Sequence, residues 1–212
     1  FPGGISSTTW LWFSRHEADR LRGVDLVGHL NTFLHRQLTG ARVIDPSNAS
    51  FTGLYRTLEL GGWSDELCDA AGVDRALLPE VFESERVAGR VTREGARRFG
   101  LVSGLPVLAG LVDGSAGMLL AGARVGQLYD VCGSTDVLAL CTDTPRPHPR
   151  LLTRALGIGR RWLAVGTLAA VGSALYWARA QLFRDLTPQR FAREMFRLSR
   201  LGAGAAAGVR FD

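Results

Sequence analysis

The sequence predicts an α/β chain built in two parts. Three observations carry that reading. Apolar residues recur at helical spacing near the start and again at the end. Short apolar runs bounded by Gly and Pro fill the middle. The texture also changes near Ala123–Gly126, from helix-rich and polar before it to hairpin-rich after it.

The elements follow in order. Leu21 to Leu38 reads as a helix that stops at Gly40. Val43 to Leu60 is polar and turn-rich, with Asp45-Pro46-Ser47-Asn48 its clearest turn. Ser64 is placed to cap a helix whose first turn holds Asp65 and Glu66, where the dipole favours acids, and which stops at Gly72. A short turn follows at Leu77-Leu78-Pro79. Leu105 to Leu111 reads as a buried strand and Ser115 to Ala123 as a small-residue helix. That stretch resembles a membrane span only superficially, since it contains Pro106 and a central Asp113. A charge at mid-bilayer costs about 2.5–3.5 kcal/mol even on a lenient scale. Gln127–Cys132 and Val137–Cys141 flank Gly133-Ser134-Thr135-Asp136 as one hairpin. Leu151–Leu156 and Arg161–Thr167 flank Gly157-Ile158-Gly159 as a second. Leu168, Val171, Leu175, Ala178 and Leu182 form one helical stripe; Phe191, Met195 and Leu198 form another behind Thr187-Pro188.

Composition narrows the class. With 212 residues, 46% hydrophobic and 21% charged, the chain can bury a core, which excludes disorder, collagen and a disulfide mini-scaffold. Cys68, Cys132 and Cys141 have no disulfide or zinc spacing, so a reduced, cytoplasmic setting is the default. The net charge is +5 and every basic residue is Arg. Those arginines are dispersed among 20 acids rather than gathered in a stripe, which fits a codon bias better than nucleic-acid binding. The opening has neither a basic segment nor a continuous apolar run of the signal-peptide kind. Residue 1 is Phe, the first Met is Met118, and a Gly/Ala-rich stretch precedes Asp212, so the sequence reads as an internal part of a longer protein.

Three places could carry chemistry. Asp113 ends an apolar strand before Gly114-Ser115-Ala116-Gly117, where small residues leave room for a ligand. It is either a general base for a hydroxyl, contributing about 10²–10⁴-fold, or a helix N-cap. Gly133-Ser134-Thr135 is either a cradle for phosphate or an ordinary hairpin turn, and no Walker A motif occurs. Gly166 and Gly172 suggest close approach to the backbone, by a ligand or a neighbouring helix, because glycine inside a helix costs about 1 kcal/mol against Ala. Asn48-Ala49-Ser50 fits a glycosylation sequon without other signs of secretion. The four histidines show no metal spacing, and the five tryptophans read as core aromatics.

The order of these features resembles the FGGY carbohydrate kinases. The resemblance runs through Pro2-Gly3, Trp10-Leu11-Trp12, Gln37-Leu38-Thr39-Gly40, Asp45 to Leu54, Trp63-Ser64, Leu77-Leu78-Pro79, Gly104 to Asp113, Gly133-Ser134-Thr135 and Gly172 to Trp177. It implies an actin-like, ribonuclease-H-like pair of domains with a cleft between them. Residues 1–122 would complete the sugar-binding domain and 123–212 would begin the ATP-binding domain. ATP and Mg²⁺ are the implied cofactors and a sugar or polyol the implied substrate. The Trp63-Ser64 and Leu-Leu-Pro series leans toward xylulose. Asp113 matches the base that deprotonates the attacking hydroxyl, and Gly114 follows at a substrate-touching position. Gly133, Ser134 and Thr135 match the phosphate turn; Gly172 and Tyr176 match nucleotide-side positions. The resemblance allows a homodimer.

Three departures stand out. Gly114 replaces the usual Asn or Gln, Asp136 closes the phosphate turn with an acid, and Asn31 replaces an Asp frequent in its helix. The family's N-terminal phosphate loop and C-terminal adenine-binding portion are missing from the resemblance. A non-catalytic sugar-binding relative is therefore the alternative expectation.

Overall fold

A computed structural model describes residues 5–201. Pro2-Gly3 and the Gly/Ala-rich end lie outside the described residues. Two compact units emerge, one running to Tyr129 and resuming over Leu138–Gly166, the other holding Asp130–Val137 and the chain from Thr167 onward.

The first unit opens with helix α1 (Ser6–His16), which the sequence reading did not anticipate. A 3-10 turn over Ala18–Leu21 precedes α2 (Leu30–Thr39). The single helix expected over Leu21–Leu38 is thus broken. Gly23 sits at φ +75°, and the chain passes so close to Thr32 at Gly28 that a Cβ there would meet its side chain at 2.7 Å. The helical end at Gly40 is as expected, with left-handed φ +77°. Strand β1 (Val43–Ile44) pairs in parallel with β2 (Glu80–Val81). Between them lie the short α3 (Pro46–Ala49) and α4 (Asp65–Ala71). The Ser64 hydroxyl accepts from Leu67 N and Gly72 closes α4, as its sequence requires.

Strand β3 (Val87–Arg90) and helix α5 (Arg93–Phe99), also unanticipated, lead to β4 (Pro106–Leu108), antiparallel to β3. The strand is shorter than the apolar run because Gly110 turns at φ +87°, and it is not the buried strand expected, since Pro106 and Leu108 are exposed. Helix α6 (Asp113–Leu120) follows directly. Its eight residues, rather than a bilayer-length span, account for the hydrophobic stretch. No helix among the described residues is long and apolar enough to cross a membrane.

Both expected hairpins form: β5 (Leu128–Cys132) with β6 (Asp136–Thr142), and β7 (Leu152–Ala155) with β8 (Trp162–Leu168). The sheet order is β5-β6-β8-β7. The second unit adds α7 (Gly172–Leu182) and α8 (Pro188–Ser199), the latter capped by Thr187. Leu168 is still in a strand, so the first helical stripe starts later than its spacing suggests. Its Leu175 and Leu182 are exposed, whereas Phe191 of α8 is buried against Phe183.

The core of the first unit gathers Ile44, Leu54, Tyr55, Trp63, Cys68 and Leu78. The segment read as polar and turn-rich therefore supplies much of that core. Its polar groups are buried with it, which is tolerable only because they are paired. Trp63 and Trp162 are core aromatics as expected, but Trp12 and Trp177 are half exposed.

Candidate functional site

Asp113 is the first residue of α6, one position past the N-cap Val112. It is exposed, and its Oδ1 accepts the Gly114 amide at 2.6 Å. The capping alternative is therefore not realised at the cap itself, although an acid in the first turn suits the helix dipole. A Cβ on Gly114 would meet nothing within 4 Å, so open space lies beside the carboxylate. Gly117, one turn on, is small for another reason. Any side chain there would overlap the Tyr129 hydroxyl. Buried Ser115 and Met118 fix the inner face of α6.

What holds the start of α6 lies far away in sequence. The Val112 amide donates to Ser47 Oγ at 2.9 Å. The Ser47 hydroxyl in turn donates to Asp45 Oδ1. Asp45 is fully buried, with no exposed surface. Its Oδ1 also accepts the Asn48 amide at 3.1 Å, and its Oδ2 accepts Asn48 Nδ2 at 2.6 Å and Asn31 Nδ2 at 2.9 Å. Asn48 continues the network to His29 at 3.3 Å, and His29 meets Ser6 Oγ at 2.7 Å. The departure at Asn31 has a physical sense here, since an amide gives the carboxylate a donor where a second acid would give repulsion. Nearby, buried Arg154 donates to Ser50 O at 2.9 Å and stacks 3.4 Å from the Phe51 ring centroid. Burial pulls its guanidinium down to about 10. Tyr55 moves the other way, pushed up to about 12 by burial and then by the Glu83 charge.

In the second unit, Gly133 to Thr135 join β5 to β6. The close approach expected at Gly172 is real, but the neighbour is neither a ligand nor a helix. It is this turn. Gly172 N donates to Gly133 O at 3.0 Å, Val171 N to Ser134 O at 3.0 Å, and Ser173 Oγ to Ser134 O at 3.1 Å. A Cβ at Gly172 would overlap the Gly133 carbonyl oxygen. Gly166 is different, since a Cβ there would meet only a Leu151 methyl at 3.4 Å. The turn thus spends the Gly133 and Ser134 carbonyls on the start of α7, while the Thr135 carbonyl accepts the Gly133 amide at 2.8 Å. The amides and hydroxyls of Ser134 and Thr135 have no partner among the described residues. Uncommitted donors on an exposed turn fit phosphate oxygens. Tyr176, one turn into α7, is 77% exposed.

Asp136 brings an acid to the edge of that turn. A hydrogen bond with Asp136, then burial, then the Asp136 charge push the Asp130 carboxyl up from its usual range. Asp136 thus sets a like charge beside Asp130 at the edge of the turn. No group of three or more His, Cys, Asp or Glu among the described residues could hold a metal ion. Cys132, beside the turn, is free and exposed, whereas Cys68 and Cys141 are buried. A separate open recess of about 360 Å³ is lined by Trp63, Arg75, Leu78 and Glu80, none of them a predicted site residue. Its Arg75 lies 3.7 Å from Asp65.

Asp113 and Gly114 belong to the first unit; Gly133, Ser134, Thr135, Gly172 and Tyr176 belong to the second. Asp45, Ser47 and Asn48 were legible only as a turn and as part of a motif, and their shared burial is what the sequence reading lacked.

Comparison with known proteins gives a consistent answer. The family described as "FGGY family of carbohydrate kinases, N-terminal domain" matches residues 3–120. The xylulose kinase of Escherichia coli K12 is 25% identical over 178 residues, covering 82% of this chain and 36% of that protein. The glycerol kinase of Thermococcus gammatolerans is 34% identical over 165 residues, covering 74% of this chain and 32% of that protein. The crystal structure of a xylulose kinase from Rhodospirillum rubrum superimposes with a TM-score of 0.83 at 28% identity, covering 95% of this chain and 41% of that one. The chain thus spans about a third of the length of these curated relatives.

Proposed function

The chain belongs to the FGGY family of carbohydrate kinases, and from that membership we propose that the whole protein phosphorylates a hydroxyl of a sugar or polyol from ATP. The fold is the α/β, actin-like ATPase type, present here over part of the kinase length. We assign residues 1–122 to the sugar-binding domain and 123–212 to the start of the ATP-binding domain. The family match ending at residue 120 supports that division, which differs from the two compact units in placing Leu138–Gly166 with the later residues.

The observation that carries the reading is the placement of Asp113. An exposed carboxylate at the first position of α6, beside open space at Gly114, is accessible to a substrate hydroxyl. In this reading Asp113 takes the proton of the attacking oxygen, and Gly114 leaves room for the sugar. Ser134 and Thr135 donate to phosphate oxygens, while Gly172 lets the turn approach α7 and Tyr176 lies on the nucleotide side. When bound, MgATP supplies the transferable group and the metal charge that offsets the phosphates. Phosphoryl transfer rests mainly on positioning and charge neutralisation, so this small set of groups suffices. A ketose such as xylulose is the favoured substrate, and a reducing, cytoplasmic setting fits the free cysteines.

The Asp130–Asp136 pair favours a second reading, a sugar-binding relative that does not turn over. Negative charge beside a phosphate turn opposes nucleotide binding. The deciding experiment is ADP release by the full reading frame with Mg²⁺ and a panel of ketoses and polyols, with Asp113→Asn beside it. Sugar-dependent release that drops about 10²–10⁴-fold in the variant supports the kinase reading. Sugar binding with no release from the folded protein supports the relative.

A further inference from the structure

We infer that Ser47, held by the buried carboxylate of Asp45, is a positioning residue that sets where Asp113 presents its carboxylate. This rests on the assignment of Asp113 as the base.

The start of an α-helix leaves amides without intrahelical partners, and the chain entering it is fixed only by what those amides find. Val112, the N-cap of α6, offers no side-chain cap, and its amide instead donates to Ser47 Oγ at 2.9 Å. The bond runs across 65 positions of sequence, so it ties α6 to the Asp45–Ala49 segment rather than to its own neighbourhood. A free serine hydroxyl rotates and could accept or donate. Here it cannot choose. Asp45 Oδ1 takes the hydroxyl proton, which turns the oxygen's lone pairs toward Val112. The bond to a carboxylate is the stronger, charge-assisted kind, so the orientation is held firmly.

Asp45 is itself immobile. Ser47 Oγ, the Asn48 amide, Asn48 Nδ2 and Asn31 Nδ2 donate to it from α3 and α2, and neither Asp45 nor Ser47 has any exposed surface. The backbone of Gly157 in the β7–β8 turn passes close by, near enough that a Cβ there would lie 3.1 Å from Ser47 Cβ. One residue beyond Val112 stands Asp113. A displacement of about 1 Å at a reacting group can cost on the order of 10²-fold in rate. A device that fixes the preceding amide is thus worth far more to turnover than to sugar binding.

The test uses the full-length protein with Ser47→Ala, which deletes one hydroxyl and leaves the Asp45 hub with its three nitrogen donors. Steady-state kinetics, calorimetric sugar affinity and hydrogen exchange at the Val112 amide are measured together, with Asp113→Asn alongside. The expected result is a kcat about 10- to 100-fold lower, sugar affinity within about twofold of the parent, and faster exchange at Val112. Unchanged kcat despite faster exchange overturns the inference, and so does a kcat loss matched by an equal loss of sugar affinity. Turnover retained by Asp113→Asn is a separate failure. It removes the base assignment, and the positioning role with it, whatever Ser47→Ala does.

Discussion

Replacing Gly172 by Ala pits two opposite effects against each other. Ala is the better helix former by about 1 kcal/mol, mainly because glycine has more unfolded-state freedom to lose. Gly172 is the first residue of α7 and carries no positive φ, so on local grounds the substitution stabilises. The packing says otherwise. The new methyl would overlap the Gly133 carbonyl oxygen and lie 3.1 Å from Gly133 C and 3.5 Å from Ser134 Cα. All three are backbone atoms and cannot rotate away. Overpacking of this kind costs about 1–3 kcal/mol. Pushing the turn off α7 also breaks the 3.0 Å bond from Gly172 N to Gly133 O, for about 1 kcal/mol more. The losses exceed the gain, and Gly172→Ala is expected to be less stable by about 1–3 kcal/mol. Urea unfolding of the full-length variant measures it. Gly166→Ala serves as the control, because its methyl would meet only Leu151 Cδ2 at 3.4 Å. Since the turn must move, MgATP binding is expected to weaken in Gly172→Ala alone. A Gly172→Ala protein as stable as the parent, or more so, would refute the contact on which the nucleotide-side assignment rests.

Two further outcomes follow from the acids. Asn31→Asp puts a second carboxylate where an amide now donates to buried Asp45 at 2.9 Å, at a cost of about 2–4 kcal/mol near pH 7. The pair must share a proton, so one folded-state pKa rises above its unfolded value. The variant should come nearest to the parent below about pH 4 and lose stability as pH rises; a pH-independent difference would contradict this. Asp136→Asn relieves the pair that raises Asp130. Because that pKa is raised by folding, the parent holds its full contribution at low pH and loses it as pH rises through the shifted value. The variant should therefore gain on the parent as pH rises above the ordinary carboxylate range of about 4, read from denaturation midpoints against pH, and parallel curves would refute the pairing.

The caps, the hairpins and the family were all readable in the sequence. Ser64 with Gly72, Thr187 with Pro188, and Gly157 act through their nearest neighbours, so local chemistry was enough to place them. The motif from Asp45 to Leu54 was specific enough to carry the family, and Asp113 stood out as an acid at a strand-to-helix turn. Helical spacing alone misled where a glycine broke the chain at Gly23, and where the stripe through Leu168 began inside a strand. It was silent on α1 and α5, which lack a clear apolar period.

What tertiary structure decided was where the polar groups go. Asp45-Pro46-Ser47-Asn48 has the composition of a surface turn, yet it is buried, because Asn31, Ser47 and Asn48 satisfy Asp45. Gly172 was small for an unknown neighbour until the Gly133 carbonyl was found against it. Hydrogen bonds between residues far apart in sequence, such as Ser47 with Val112, leave no periodicity and no local propensity behind. Residue types alone determine which groups need partners; only the folded chain determines which partners they meet.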